Sequence, residues 1–238
     1  MRYIYLSPHP DDAVLSAGGL IYEQVHADTP VEIWTFMCGF PPEGDVPPMK
    51  LRGGFSSVRE AVEKRRAEDM NAAAIVGAQL VHFDLLDCIY RRGKHGDWLY
   101  TGKVFSPPHP DEADMPADIA RTIAAHLQPD DIVVSHLGIG DHVDHVTMRL
   151  AAELLGRPLL YVADIPYLLS NPGVLPAKTA GMKTSLHAVS ETGLKHWQDA
   201  IAAYTSQISM LFRSQDMMRQ IMHAYWSQWK GVHLWEAE

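Results

Sequence analysis

Thiols are scarce in this sequence: Cys38 and Cys88 are the only cysteines among 238 residues, and they form no CxxC pair. That excludes a disulfide framework and a thiolate zinc site, and it fits a chain kept reduced in a cytoplasm. Long apolar runs are missing as well. No uninterrupted stretch approaches the roughly 18 residues that a membrane span needs. No basic leader with an apolar core precedes the first strand, so a soluble, unprocessed protein is expected. Positive charge is in deficit, with 20 Lys+Arg against 29 Asp+Glu and a formal net charge of -9. This is the wrong sign for tracking a polyphosphate backbone, so nucleic acid is excluded as a partner. No GxGxxG follows the first strand, which removes the case for a dinucleotide-dependent oxidoreductase. Internal repeats and low-complexity tracts are also absent.

What is present is an alternation of strand and helix patterns. The run Tyr3-Ile4-Tyr5-Leu6 stops at Ser7-Pro8-His9-Pro10-Asp11-Asp12, and apolar residues return at helical spacing from Val14 to His26. Gly18-Gly19 within that helix predicts close approach of helix to sheet. Further strands are predicted at Val31–Cys38, Leu80–Phe83, Asp131–Ser135 and Leu159–Val162. Helices are predicted at Ser57–Gly77, with a Ser cap and Glu60 three residues on, at Pro116–Leu127 and at His142–Leu155. Five such alternations predict an α/β fold: a Rossmann-like doubly wound, mostly parallel sheet with helices on both faces. Two stretches, Gly39–Ser57 and Asp84–Met115, are longer than ordinary connections, which favours a binding or lid role. Beyond Ala163 a helical C-terminal extension is expected, with its longest helical stretch from Thr192 to about His223. The whole reads as one α/β domain, 1–238, with a core of about 1–162 and an extension of about 163–238.

Two polar clusters stand out. His9, Asp11 and Asp12 sit at the carboxyl end of the first strand, where open α/β sheets place ligands. The plainer reading of that turn is an Asp cap on the following helix. His136-Leu137-Gly138-Ile139-Gly140-Asp141-His142-Val143-Asp144-His145 occupies the equivalent end of the fourth strand. In the common doubly wound order, strands one and four flank the switch point, so both clusters line one crevice. His, Asp and His converging on an open position is the composition of a catalytic zinc site. The lack of thiolate leaves other divalent ions open.

His9-Pro10-Asp11-Asp12 before a Gly-Gly helix, together with His142-Val143-Asp144-His145, resembles the paired signatures of the PIG-L/LmbE N-acetylglucosaminyl deacetylases. The resemblance spans roughly the first two thirds of the chain. It implies that His9, Asp12 and His145 hold Zn2+, that Asp11 is the general base, and that His142 assists at the developing oxyanion. Asp144 would stand behind the ligands and hold a histidine in one tautomer. Arg65, in Arg65-Arg66-Ala67-Glu68, matches a substrate-contacting arginine, with Arg66 as the adjacent competitor. Two departures, Ala13 where many members are acidic and Gly140 where some carry Tyr, bear on the subfamily and so on the substrate.

The residue types suit amide hydrolysis, which needs hydroxide at neutral pH, a polarised carbonyl and a proton for the leaving amine. Imidazolium from His142 would stabilise the oxyanion. The expected activity is removal of an acetyl or short acyl group from the amine of an amino sugar or small glycoconjugate. Two alternatives stay open: a metal-dependent phosphoester hydrolase, with Arg65-Arg66 and Arg91-Arg92 as phosphate clamps, and a non-catalytic metal-bound sugar-binding protein.

Several other features compete for roles. Pro108-His109-Pro110-Asp111-Glu112 imitates the first motif without a preceding strand and reads as a decoy. His136 either lines the pocket mouth or ends its strand. Of His82, Asp84 and Asp87, the aspartates are read mainly as loop caps, with a substrate-side role as the rival. Trp197, Tyr204, Trp226, Trp229 and Trp235 make the extension aromatic, for internal packing or for a homo-oligomer contact. Lys195 and Tyr204-Thr205-Ser206-Gln207 resemble a late feature of the same family that closes one wall of the site.

Overall fold

The computed structural model describes residues 1–48 and 55–237. In chain order it contains β1 (Tyr3–Ser7), α1 (Asp12–His26), β2 (Val31–Thr35), α2 (Val58–Val76), β3 (Gln79–His82), α3 (Met115–His126), β4 (Ile132–His136) and α4 (Val143–Glu153). There follow β5 (Leu159–Val162), the short α5 (Tyr167–Ser170) and α6 (Leu175–Lys178), β6 (Met182–Ala188), α7 (Glu191–Ala203), α8 (Thr205–Leu211), α9 (Gln215–Trp229) and β7 (Gly231–Ala237). The strands form one sheet in the order β3-β2-β1-β4-β5-β7-β6. β1 pairs in parallel with β2 on one side and with β4 on the other, in register Tyr5↔Ile33 and Tyr5↔Val134. The chain therefore reverses direction of travel across the sheet between β1 and β4, which opens a crevice at their carboxyl ends.

Strand alternation separates two cores. Tyr5, Ile33 and Val134 face α1 and α7, while Ile4, Leu6, Trp34 and Val133 face the layer holding Ile119, Ile123 and Met148 of α3 and α4. Helices on both faces cover the sheet, so its strands read as nearly continuous apolar runs.

The C-terminal extension differs from the expectation of helix alone. β7 pairs antiparallel with β5, and β6 pairs antiparallel with β7, so residues after 163 complete the sheet. The long helical stretch is also broken into α7, α8 and α9. Tyr204, at φ -79 and ψ 60, ends α7, and Ser214 caps α9 by accepting from Met217 N. Met182–Ala188 is exposed at nearly every position and reads poorly as a strand, because an edge strand of this kind buries little on either face.

The Gly18-Gly19 pair serves a different partner from the one expected. A Cβ on Gly18 would stand 2.7 Å from Trp197 Cδ1, and one on Gly19 would stand 2.8 Å from Trp197 Cε3. The close approach is therefore between α1 and the indole of α7, not between α1 and the sheet. That indole is fully buried and donates from Nε1 to Val14 O at 2.7 Å. Trp226 is also internal, donating from Nε1 to Val189 O, whereas Trp229 is exposed.

Of the two long stretches, residues 49–54 of the first lie outside the described residues. The second is not featureless: it holds 3-10 turns at Cys88–Tyr90 and Pro110–Glu112 and is closed by Leu99 N donating to Arg91 O.

Candidate metal centre and active site

β1 delivers Ser7, whose Oγ donates to His9 O at 2.7 Å and accepts from Ala13 N at 3.1 Å, tying the Pro8-His9-Pro10 turn across the start of α1. Asp11 occupies the N-cap position but makes no side-chain cap bond, and its φ is 120. A non-glycine residue in that region is strained, and such strain persists only where surroundings enforce it. The helix-cap reading of the aspartates is thereby replaced. Asp12 turns inward, its Oδ2 accepting from His9 N at 2.8 Å.

Asp12 Oδ2 also lies 3.1 Å from His9 Nδ1 and 3.2 Å from His145 Nε2. His145 arrives on the first turn of α4, so the two strand-end clusters do meet. The far nitrogens of both imidazoles are held from behind. His9 Nε2 donates to Asp144 Oδ2 at 2.9 Å, and His145 Nδ1 donates to Asp164 Oδ1 at 2.7 Å. A carboxylate behind each ring fixes the tautomer that turns the other nitrogen toward Asp12. His142 contributes a third ring nitrogen within 4.8 Å of those of His9 and His145.

His9, His142 and His145 gather as a donor group that could hold a divalent cation, with Asp12 Oδ2 beside the His9 and His145 rings. His145 Nε2 is buried and, despite standing 3.2 Å from Asp12 Oδ2, is too poorly aligned to count as hydrogen-bonded. Burial alone disfavours charge on the imidazoles. The carboxylates of Asp12 and Asp144 nevertheless hold His9 well above the ordinary imidazole range, and Asp12 with Asp164 pushes His145 up to about 10. The site thus favours positive charge between these side chains, which a metal bound by imidazole and carboxylate would supply.

Asp11 is differently placed. Burial and then the Asp12 carboxylate push it up to about 8, while Arg65 and His9 pull it back. A value near working pH suits a group that takes up a proton and gives it back. Arg65 Nη2 donates to Pro10 O at 3.0 Å and lies 3.6 Å from Asp11 Oδ2, with Nη1 3.6 Å from Asp87 Oδ2. Arg66 points away, donating to Cys38 O and to the exposed Asp84.

His142 departs from the imidazolium expectation. Burial and the neighbouring His9 push its pKa down to about 4, so the ring is neutral at pH 7. Its Nδ1 accepts from Asp144 N at 3.3 Å, which leaves the proton on Nε2 as a donor. A neutral imidazole can still donate a hydrogen bond to an oxyanion.

The remaining candidates sort by contact. His136 is buried behind Asp164, 3.4 Å away, and does not line the mouth. His109 caps a 3-10 turn by accepting from Asp111 N, consistent with a decoy. Asp87 caps Ile89 N, as the loop-cap reading expects, and its other oxygen faces His9 and Arg65. Tyr204 donates to Asp69 Oδ1 at 2.6 Å, while Lys195 pairs with Asp199 at the surface.

Sequence reasoning missed Asp164. It lies two residues past β5, and the rule that ligands gather at strand carboxyl ends would have flagged it. It also missed Tyr167, whose ring packs over Gly140, the atoms nearest an added Cβ being its Cγ at 3.0 Å. Of the four arginines named as phosphate clamps, only Arg65 faces the centre. Arg91 is bound between Glu112 and Asp144, and Arg92 is bound by Asp45.

The family model described as "PIG-L: GlcNAc-PI de-N-acetylase" matches residues 4–155. The chain is 27% identical over 241 residues to a 1D-myo-inositol 2-acetamido-2-deoxy-alpha-D-glucopyranoside deacetylase of Actinosynnema mirum, covering 88% of this chain and 81% of that protein. It is 24% identical over 187 residues to a 2'-N-acetylparomamine deacetylase of Niallia circulans, covering 69% and 67%. The fold matches the zinc-inhibited form of teicoplanin deacetylase Orf2 with a TM-score of 0.84 at 25% identity, over 99% of this chain and 97% of the other.

Proposed function

The chain belongs to the PIG-L family of de-N-acetylases and is an amide hydrolase of that kind; we propose that it binds zinc and removes an acetyl or short acyl group from the amine of an amino sugar or small glycoconjugate. The observation that carries this is Asp12 Oδ2 between His9 Nδ1 and His145 Nε2, with Asp11 left over beside Arg65. The relatives named above act on N-acetylated amino sugars, which supports the substrate class. Residues 1–238 are taken as one functional unit, because β7 lies against β5. Among the described residues no helix is long and apolar enough to cross a membrane. Cys38 and Cys88 are buried and unpaired, which supports a reducing, cytoplasmic setting.

His9, Asp12 and His145 would hold the zinc, which when bound lowers the pKa of water and polarises a carbonyl. Asp11 takes the proton of the attacking water as its oxygen bonds to the acyl carbon. His142 donates from Nε2–H to the oxygen on which negative charge develops. As the C–N bond breaks, its electron pair goes to nitrogen, and Asp11 returns the proton to the amine. Acetate and the free amino sugar leave. Arg65 keeps Asp11 oriented and, with Asp87, borders the substrate side.

The test is acetate release from a panel of N-acetylated amino sugars. We expect one acetate per free amine, loss after chelation, and recovery on adding one equivalent of Zn2+. No acetate from any member of the panel with zinc-loaded protein, or full turnover after chelation, would overturn the proposal. Phosphoesters are expected to be inert.

A further inference from the structure

Residues 88–112 carry a buried ion chain that neither the metal set nor the proton transfers use. Arg91 Nη2 lies 2.6 Å from Asp144 Oδ1, and Arg91 Nε lies 2.6 Å from Glu112 Oε1. These are close ion contacts without hydrogen-bond alignment. Glu112 Oε2 accepts the Tyr100 hydroxyl at 2.6 Å, and Tyr100 OH accepts from His109 N at 2.8 Å. The guanidinium stands 5.4 Å from the Tyr100 ring centroid. At the inner end, Asp144 Oδ2 accepts from His9 Nε2 at 2.9 Å and from Cys88 N at 3.1 Å. Arg91, Glu112, Asp144 and Tyr100 are all buried.

A carboxylate behind a ligand imidazole strengthens that ligand only while it keeps its charge and its place. Asp144 Oδ2 is held by His9 Nε2 and Cys88 N, and the guanidinium on its second oxygen fixes the orientation of the carboxylate and offsets the cost of burying it. Glu112 balances the guanidinium, and its own second oxygen is held by Tyr100. The line His9, Asp144, Arg91, Glu112, Tyr100 is therefore continuous from the metal centre into the second long loop.

We propose that Arg91 is a positioning residue: clamped by Glu112 and Tyr100, it sets through Asp144 how strongly His9 binds the metal, so that residues 88–112 and the metal centre are ordered together. This rests on the metal-binding reading above. By linkage, whatever the ordered loop contributes to metal affinity, the metal returns to the loop.

The test uses the full chain, stripped of metal and titrated with Zn2+ against a competing chelator, with the visible absorption of the Co2+ form as a second readout. Arg91→Gln and Glu112→Gln are expected to weaken Zn2+ binding by about 10–100-fold and to shift the Co2+ bands. The control Arg92→Ala, whose side chain pairs with Asp45 and lies over Trp98, keeps wild-type affinity. In the wild-type protein, stripping the metal is expected to raise amide exchange across 88–112 but not across α9. A folded Arg91→Gln or Glu112→Gln that binds as tightly as wild type overturns the inference. If neither variant folds, unchanged exchange at 88–112 overturns it. Wild-type protein that binds no metal refutes the metal reading and the inference together, whereas wild-type binding with unaltered variants refutes the inference alone.

Discussion

His145 Nδ1 stands 2.7 Å from Asp164 Oδ1, a contact joining the first turn of α4 to the chain just past β5. Asp164 Oδ2 meanwhile accepts from Ile139 N at 2.8 Å, so the carboxylate is pinned on both oxygens. Asp164→Ala should therefore lower Zn2+ affinity by about 10–100-fold, because His145 loses the partner that fixes its tautomer. Chelator competition on the purified variant measures this, and unchanged affinity would show that Asp164 only braces the loop.

Asp11 and His145 separate catalysis from metal binding. Asp11→Asn preserves shape and should retain one metal per chain while turnover falls by about 10²–10⁴-fold, the usual worth of a general base. His145→Ala should lose the metal itself. Metal content and acetate release are measured side by side, and full activity in Asp11→Asn would sink the assignment of the base.

His142→Ala should leave metal content intact and reduce kcat by about 10²–10³-fold, the effect of removing one oxyanion donor. Since the neutral ring is the donor, KM should change far less than kcat. A variant that loses metal instead would make His142 a ligand.

Gly18→Ala tests the α1–α7 contact. The helix propensity of alanine returns about 1 kcal/mol, but the new methyl meets a fully buried indole, and overpacking costs about 1–3 kcal/mol. We expect a net loss of stability of up to about 2 kcal/mol in denaturant unfolding. A stabilised variant would mean that Trp197 shifts freely.

Arg2 and Asp131 give a pH signature far from the metal centre. Arg2 Nε and Nη2 donate to the two Asp131 oxygens at 2.9 and 3.0 Å, at the starts of β1 and β4. Burial raises the Asp131 carboxyl, but the Arg2 bond and the Gln128 N–H more than offset it, and the net direction is downward. The contribution to stability is therefore full above the ordinary carboxylate range and is lost as pH falls through the lower folded value. Asp131→Asn should cost about 1–3 kcal/mol at pH 7 and progressively less toward acid. Denaturant unfolding at several pH values checks the convergence with wild type.

The sequence alone determined the five strand–helix alternations and the placement of His9–Asp12 and His142–His145 at two strand ends, because burial on both faces and the punctuation by Pro and Gly are local properties written along the chain. Residue chemistry gave the paired aspartates a reason for separate jobs, a free carboxylate beside a ligand carboxylate, and the resemblance said which aspartate takes which. Which oxygen faces which imidazole, and which of Arg65 and Arg66 reaches Asp11, depended on side-chain direction at the start of α1 and on the turn of α2. The tertiary structure also decided that the last third of the chain contributes two strands, since β7 takes its place against β5 from far along the chain and the edge strand β6, paired only with β7, has no periodic burial to read. Asp164, Arg91 and Trp197 took their partners from distant elements for the same reason: a buried charge or a tight ring contact is specified by what surrounds it in space, and sequence neighbours do not carry that information.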